Sequence, residues 1–395
     1  MTSCDVLVIG AGIAGASAAC AIARDRTTIM VEMEEQPGYH STGRSAALLI
    51  STYGDPLTRA LTSCSRRFLE DPAELGSESP LLSPRGLVWI ADPDSTEHLL
   101  GLFEAAQSTV ADLRLARTSE ILALCPQLRP EFAAIGMIEQ GASEIDVHAL
   151  HHAYLRSFTR FGGELVTRSP IQRIEYRSGR WRASTPSGEF IADVVVNAAG
   201  AWAGEVGRLA GAARLDLVPC RRTVIAFDPG ISAANYPCVV DALERFYLKP
   251  EGARLLASPA DETPSEPCDC QPEELDVALA ADWVTRVSTF EVGRISHRWA
   301  GLRTFAPDRL PVIGWDGLAP NFLWLAGLGG YGIMVSPATA RIAASLVAHA
   351  SIPEELALAG IDVARLSPRR FATRKPEPGA GSKAQPSRAI TGKVH

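Results

Sequence analysis

One segment near the amino terminus constrains the fold of this chain more than any other. Asp5-Val6-Leu7-Val8-Ile9 is a short apolar, β-branched run, the pattern of a strand buried on both faces. Gly10-Ala11-Gly12-Ile13-Ala14-Gly15 follows at once, Ala16 to Ala23 reads as an alanine-rich helix, and Thr27 to Val31 reads as a second strand ending at Glu32. Strand, GxGxxG, helix, strand and acid in this order form a βαβ unit suited to a dinucleotide. Gly10 permits the tight turn, Gly12 lets the backbone approach a pyrophosphate, and Gly15 lets helix and strand pack closely. The helix amino terminus offers unpaired N–H groups and the positive end of its dipole. Glu32 is placed to accept hydrogen bonds from ribose hydroxyls and would repel a 2′-phosphate, which argues against NADP.

Further glycine turns recur along the chain. Leu325-Ala326-Gly327-Leu328-Gly329-Gly330-Tyr331-Gly332-Ile333 precedes a helix of small residues from Pro337 to His349. Trp299 to Arg303 and Asp308 to Gly314 lie upstream, and Asp193 to Trp202 is another buried strand entering a glycine turn. Nucleotide-contacting signatures at the start, middle and end predict one cofactor domain assembled from separated segments. An NAD dehydrogenase would keep its dinucleotide site in one block. Leu87 to Ile90, Arg222 to Phe227 and Phe246 to Lys249 read as strands of an inserted antiparallel sheet. Leu275, Leu279, Trp283 and Val287 recur every four residues, predicting a helix that buries that stripe.

Composition narrows the partners. A length of 395 residues suggests two or three domains. With 38 basic against 45 acidic residues there is no positive surplus for a phosphate backbone, which argues against nucleic acid. The most apolar stretch, Asn321 to Val335, is interrupted by four glycines, so no membrane span is expected. The amino terminus lacks a basic n-region, and eight cysteines without a CxxC pair suggest free thiols and a cytoplasmic setting. Residues 372–395, rich in Pro, Gly, Ser and Lys, are expected to be a disordered tail.

These segments, with Gly38-Tyr39-His40-Ser41-Thr42-Gly43-Arg44-Ser45-Ala46-Ala47, Leu81 to Arg85 and Phe246 to Pro250, resemble the D-amino acid oxidase superfamily of FAD enzymes. Within it the resemblance is strongest to the bacterial D-arginine dehydrogenases. It implies an α/β fold, α+β overall: a Rossmann-like FAD-binding domain from segments 1–82, 145–217 and 300–371, and a substrate domain with a mainly antiparallel sheet from 83–144 and 218–299. FAD would be held noncovalently by Gly10, Gly12, Ile13, Ala14, Gly15, Glu32, Met33, Ser41, Thr42, Arg44, Ser45, Ala46, Ala47, Ile171, Ala199, Gly200, Trp202, Gly301, Gly329, Gly330, Tyr331, Gly332 and Ile333.

The activity implied is hydride transfer from Cα of a small amino acid or amine to the flavin. The imino acid then hydrolyses to a 2-keto acid and ammonia, and dioxygen or a quinone accepts the electrons. Arg222 and Arg303 match the arginines that hold the substrate carboxylate, and Tyr53, on a mobile loop, and Tyr247 match the active-site tyrosines. If only Arg222 of the Arg221-Arg222 pair faces the site, Arg221 is expected to be a solvated surface charge. Leu48, Leu87 and Gly332 are the expected pocket residues. The arginine-specific enzymes carry a histidine and a glutamate where Leu48 and Leu87 stand, so a cationic side chain would lose its partner at a cost of about 3–5 kcal/mol. The expected substrate is therefore a neutral or hydrophobic D-amino acid. The alternatives are sarcosine- or glycine-oxidase-like oxidation of another small amine, 2-hydroxy acid dehydrogenation and, last, a non-catalytic flavoprotein.

Overall fold

Thr2–Ile9 is the central strand of the first sheet, pairing in parallel with Thr28–Val31 on one side and Gly188–Asn197 on the other. The computed structural model describes residues 1–76 and 80–371, so the tail expected at 372–395 lies outside the described residues. Glu164–Val166 extends the sheet in parallel beyond Thr28–Val31. One half of the long strand Gly188–Asn197 pairs with an antiparallel hairpin, Arg173–Arg177 and Arg180–Thr185, and its other half with Phe322–Ala326. Val312–Trp315 completes the eight strands.

The helix Ile13–Ile22 is buried on nearly every side, packed between the helices Val147–Arg160 and Gly332–Val347. Its alanines permit that approach, since bulkier side chains would hold three backbones apart. Gly10 has φ +98°, a left-handed conformation that glycine alone takes without strain. A Cβ on Gly15 would lie 1.8 Å from the Gly10 carbonyl oxygen, so the close packing expected of the third glycine is present.

The second sheet has nine strands and is antiparallel except where Cys238–Asp241 runs beside Leu87–Ala91. Its order places Val218–Phe227 between Ile295–Phe305 on one side and Thr263–Pro264 and Arg254–Ser258 on the other, then continues through Tyr247–Glu251, Cys238–Asp241, Leu87–Ala91, Ile135–Glu139 and Leu113–Arg117. Side chains alternate between the faces of a strand, so the register sorts them. Ile225, Phe227, Val239, Leu248, Val88, Ile90 and Ile138 fall on one face and form a core with the helix Glu274–Val287. Arg222, Val224, Tyr247, Lys249, Cys238, Val240, Leu87, Trp89 and Glu139 fall on the other.

The helix at Glu274–Val287 forms as expected, but the buried stripe is corrected: Val277, Ala280, Val284 and Val287 face the sheet, while Leu275 and Leu279 are exposed. With 3.6 residues per turn, positions four apart rotate by about 40° at each step, so a strict four-residue repeat winds off any one face. Trp283 is half-buried against Phe246, ring centroids 5.0 Å apart, and belongs to this packing.

Gly15→Ala should push the helix off the strand and destabilise the protein by about 1–3 kcal/mol, the usual cost of overpacking. A fall in melting temperature would be the expected readout.

Candidate active site

A cleft with a cavity volume of about 250 Å³, open to solvent, lies between the two sheets. It is lined by Gly12, Ile13 and Ala14, where the helix Ile13–Ile22 begins. Ser41, Thr42, Arg44, Ser45, Ala46 and Ala47 also line it, together with Gly200 and Gly301, and Gly329, Gly330, Gly332, Ile333 and Met334 bring the start of the second helix beside Ile13. Neither Ile13–Ile22 nor Gly332–Val347 has a side-chain cap at its amino terminus. Two helix amino termini without side-chain caps of their own thus open side by side into one cleft, an arrangement that favours negatively charged or electron-rich groups of a ligand.

The glycine loop is held from several directions. The Ala11 N–H donates to Glu32 Oε2 at 2.6 Å, and the Ile13 N–H donates to Thr42 Oγ1 at 2.9 Å. His151 Nε2 lies 2.8 Å from the Ala11 carbonyl oxygen and donates to it; burial lowers the pKa of this imidazole, favouring the neutral ring. Arg44 donates to the carbonyls of Cys270 at 2.7 Å and Ala300 at 3.0 Å and pairs with Asp269. Its own carbonyl accepts from Trp299 Nε1 at 3.0 Å, and Ser41 Oγ donates to the Leu302 carbonyl at 2.5 Å. The 41–47 segment is therefore tied to the strand Ile295–Phe305.

Eight of the residues expected to touch the cofactor do not line the cleft. Gly10 and Gly15 lie in the helix–strand contact, and Glu32 is buried with one oxygen on the Ala11 N–H and the other on the Glu34 N–H. Met33 follows Glu32 beyond the strand end. Ile171 and Ala199 pack against an apolar cluster containing Leu7 and Trp324, while Ala198 and Gly200 beside them face the cleft. Trp202 packs against Ala300, Leu302 and His40. Tyr331 is buried, and its hydroxyl donates to the Arg309 carbonyl.

Arg222, Arg303, Tyr53 and Tyr247 all line the cleft. Arg222 pairs with Gly301 across the ladder, so Arg303, two residues on, projects from the same face as its diagonal neighbour. Their surroundings differ. Arg222 is 7% exposed, its Nε donates to the Asp261 carbonyl at 2.8 Å, and its Nη2 donates to Glu262 at 3.2 Å. Burial, and then the positive charge of Arg303, lower its pKa from the ordinary value. Arg303 is half-buried and has no ion-pair partner among the described residues. Burial raises the Tyr53 pKa, so the phenol stays protonated across the neutral range. Arg221 is corrected: it is 8% exposed, not a solvated charge, because its side chain points to the opposite face and meets Asp276 and Glu273.

Leu48 lines the cleft as expected, beside Ile50, Trp89, Val240 and Phe246. Leu87 is corrected: it is fully buried in a cluster with Trp89 and Met137, against which Leu48, Ile50 and Tyr53 pack, and it does not reach the cleft. Trp89 and Lys249 were overlooked in the sequence, although alternation from Leu87 and Tyr247 puts them on the same face. Lys249 is paired with Glu144 at 3.2 Å and also with Glu251. Cys238 also lines the cleft, and burial pushes its thiol up to about 12. Glu244, at a left-handed φ of 53°, brings a carboxylate to the exposed rim.

A family model described as FAD dependent oxidoreductase matches residues 5–346. Glycine oxidase from Pseudomonas aeruginosa is 26% identical over 368 residues, covering 87% of this chain and 94% of that protein. Mitochondrial dimethylglycine dehydrogenase from Mus musculus is 24% identical over 407 residues, and the match covers 93% of this chain but only 44% of that protein. The chain thus spans less than half the length of that relative. The crystal structure of L-proline dehydrogenase from P. horikoshii superposes with a TM-score of 0.82 at 19% identity, covering 94% of this chain and 98% of that one, a likeness of fold.

Arg44→Met should loosen the 41–47 segment and weaken flavin retention by about 1.5–3 kcal/mol, the worth of hydrogen bonds from a charged donor. The flavin-to-protein absorbance ratio after dialysis measures this.

Proposed function

Because this chain belongs to the FAD dependent oxidoreductase family, with FAD as its cofactor, we propose that it oxidises the Cα–N bond of a neutral or apolar amino acid. The unpaired Arg303 guanidinium, set in the cleft beside an apolar wall, is the observation that carries this reading. When bound, FAD supplies the two-electron acceptor for the Cα hydride. Arg303 presents two parallel N–H groups to the substrate carboxylate, fixing its position and rotation together. Arg222, already held by Asp261 and Glu262, adds a weaker second contact. Tyr53, kept protonated by burial, acts as a hydrogen-bond donor and not as a base near neutral pH. Water then adds to the imino acid to give a 2-keto acid and ammonia, and dioxygen or a quinone takes the electrons. The Cys238 thiol stays protonated and is a poor nucleophile, in keeping with noncovalent FAD.

Leu48, Ile50, Trp89 and Val240 favour an apolar side chain, gaining about 1.5–3 kcal/mol for each well-buried group. Glu244 sits at the solvated rim, where water and salt screen its charge. Preference for the D configuration rests on the resemblance of the motifs to the D-amino acid oxidase superfamily. A second reading, oxidation of glycine or an N-methylated glycine, is supported by the glycine oxidase and dimethylglycine dehydrogenase relatives.

An anaerobic flavin-reduction screen with D- and L-amino acids, glycine and sarcosine discriminates these readings. D-leucine or D-phenylalanine should reduce the flavin with a kcat/KM at least about a hundredfold above D-arginine, given the cost of an uncompensated buried charge. A maximum at D-arginine would overturn the substrate assignment. Arg303→Ala should cost about 2–5 kcal/mol in kcat/KM, the usual loss when one partner of a buried charge pair is removed. Arg222→Ala should cost less, and the reverse order would refute the assigned division of labour.

A further inference from the structure

The turn that carries Tyr53 is fastened by a buried carboxylate that does not line the cleft. Glu139, 1% exposed, ends the strand Ile135–Glu139. Its Oε1 accepts from the Ser51 N–H at 2.6 Å, and its Oε2 accepts from the Thr52 N–H at 3.2 Å and the Thr52 hydroxyl at 2.6 Å. Among the described residues no cation pairs with it, so these donors alone meet its demand for hydrogen bonds. Trp89 Nε1 donates to the same Thr52 hydroxyl at 3.0 Å. Beyond Tyr53, the Gly54 carbonyl accepts from Arg59 at 2.9 Å, and Asp55 caps the helix Pro56–Glu70 through the Thr58 N–H at 2.8 Å. Tyr53 is thus the residue left facing the cleft between two anchored points.

We propose that Glu139 is a positioning residue for substrate capture, holding Tyr53 and Trp89 against the cleft through Ser51 and Thr52. The carboxylate suits this task because both its oxygens are acceptors. A glutamine would turn an N–H donor toward one of the donors it must satisfy. Glu139 stands in the same sheet as Arg222, so the clasp ties the Tyr53 turn to the strands that would hold the substrate carboxylate.

The test uses the FAD-loaded protein. In Glu139→Gln, amide exchange at Ser51 and Thr52 should accelerate by about tenfold or more, as expected when local opening becomes easier. Unchanged exchange would overturn the clasp. The kinetic arm rests on the amine-oxidation reading. Glu139→Gln should raise the substrate KM about tenfold while the limiting rate of flavin reduction changes by less than about threefold. In a Tyr53→Ala background the same substitution should change KM by less than about twofold, because coupled residues are not additive. An equal fold-change in both backgrounds would sink the proposal. Thr52→Val should repeat the KM increase and Thr52→Ser should retain the wild-type value, so the idea stays open to refutation even if Glu139→Gln does not fold. If no amine reduces the flavin yet exchange accelerates, the functional reading fails and the clasp stands.

Discussion

The antiparallel register between Val218–Phe227 and Ile295–Phe305 is the constraint on which the candidate site depends. It sets Arg222 opposite Gly301 and Arg303 opposite Cys220, so two guanidinium groups far apart in sequence leave one face of one sheet. A slip of one residue would send one of them to the opposite face, into the core packed on Glu274–Val287. The same strand continues into the cofactor side of the cleft through Gly301 and Leu302, whose neighbours are Arg44 and Ser41. Arg303 and the residues tied to Arg44 and Ser41 are therefore built on one strand, and their relative placement follows from main-chain hydrogen bonds.

Placing like charges side by side has an electrostatic cost, and the structure distributes it. Glu262 lies between Arg222 and Arg309, accepting from Arg222 at 3.2 Å and from Arg309 at 2.9 and 3.0 Å. Arg222 is largely neutralised there, while Arg303 has no ion-pair partner among the described residues. Arg221, next in sequence, points away and has its own acids, Asp276 and Glu273. Apolar surroundings at Arg303 would strengthen an interaction with a carboxylate, because it would be less screened than in water. The tyrosines share this setting, and burial keeps Tyr53 protonated.

Much of the architecture was legible in the chain. The βαβ unit, the glycine turns at 199–200 and 327–332, and the strands at Leu87, Arg222 and Tyr247 all stand where their patterns place them. Local geometry explains this: a tight turn or a doubly buried strand permits few residue types. Failures came where a side chain's neighbours, not its own backbone, decide its position. Leu87 has the correct face but is covered by Leu48, Ile50 and Tyr53. Tyr331 lies in a glycine turn that lines the cleft, yet its hydroxyl is directed to Arg309.

From sequence alone this chain declares a dinucleotide fold, a flavin-type arrangement of separated segments and the residue types for a carboxylate grip, since backbone conformation and charge are local properties. Only the tertiary structure reveals that Arg303 has no ion-pair partner among the described residues while Arg222 is paired, that Trp89 lines the cleft in place of Leu87, and that Glu139 is hydrogen-bonded to Ser51 and Thr52 beside Tyr53. The physical reason is that desolvation and pairing depend on which strands meet across the sheet, and sequence spacing carries no record of those contacts.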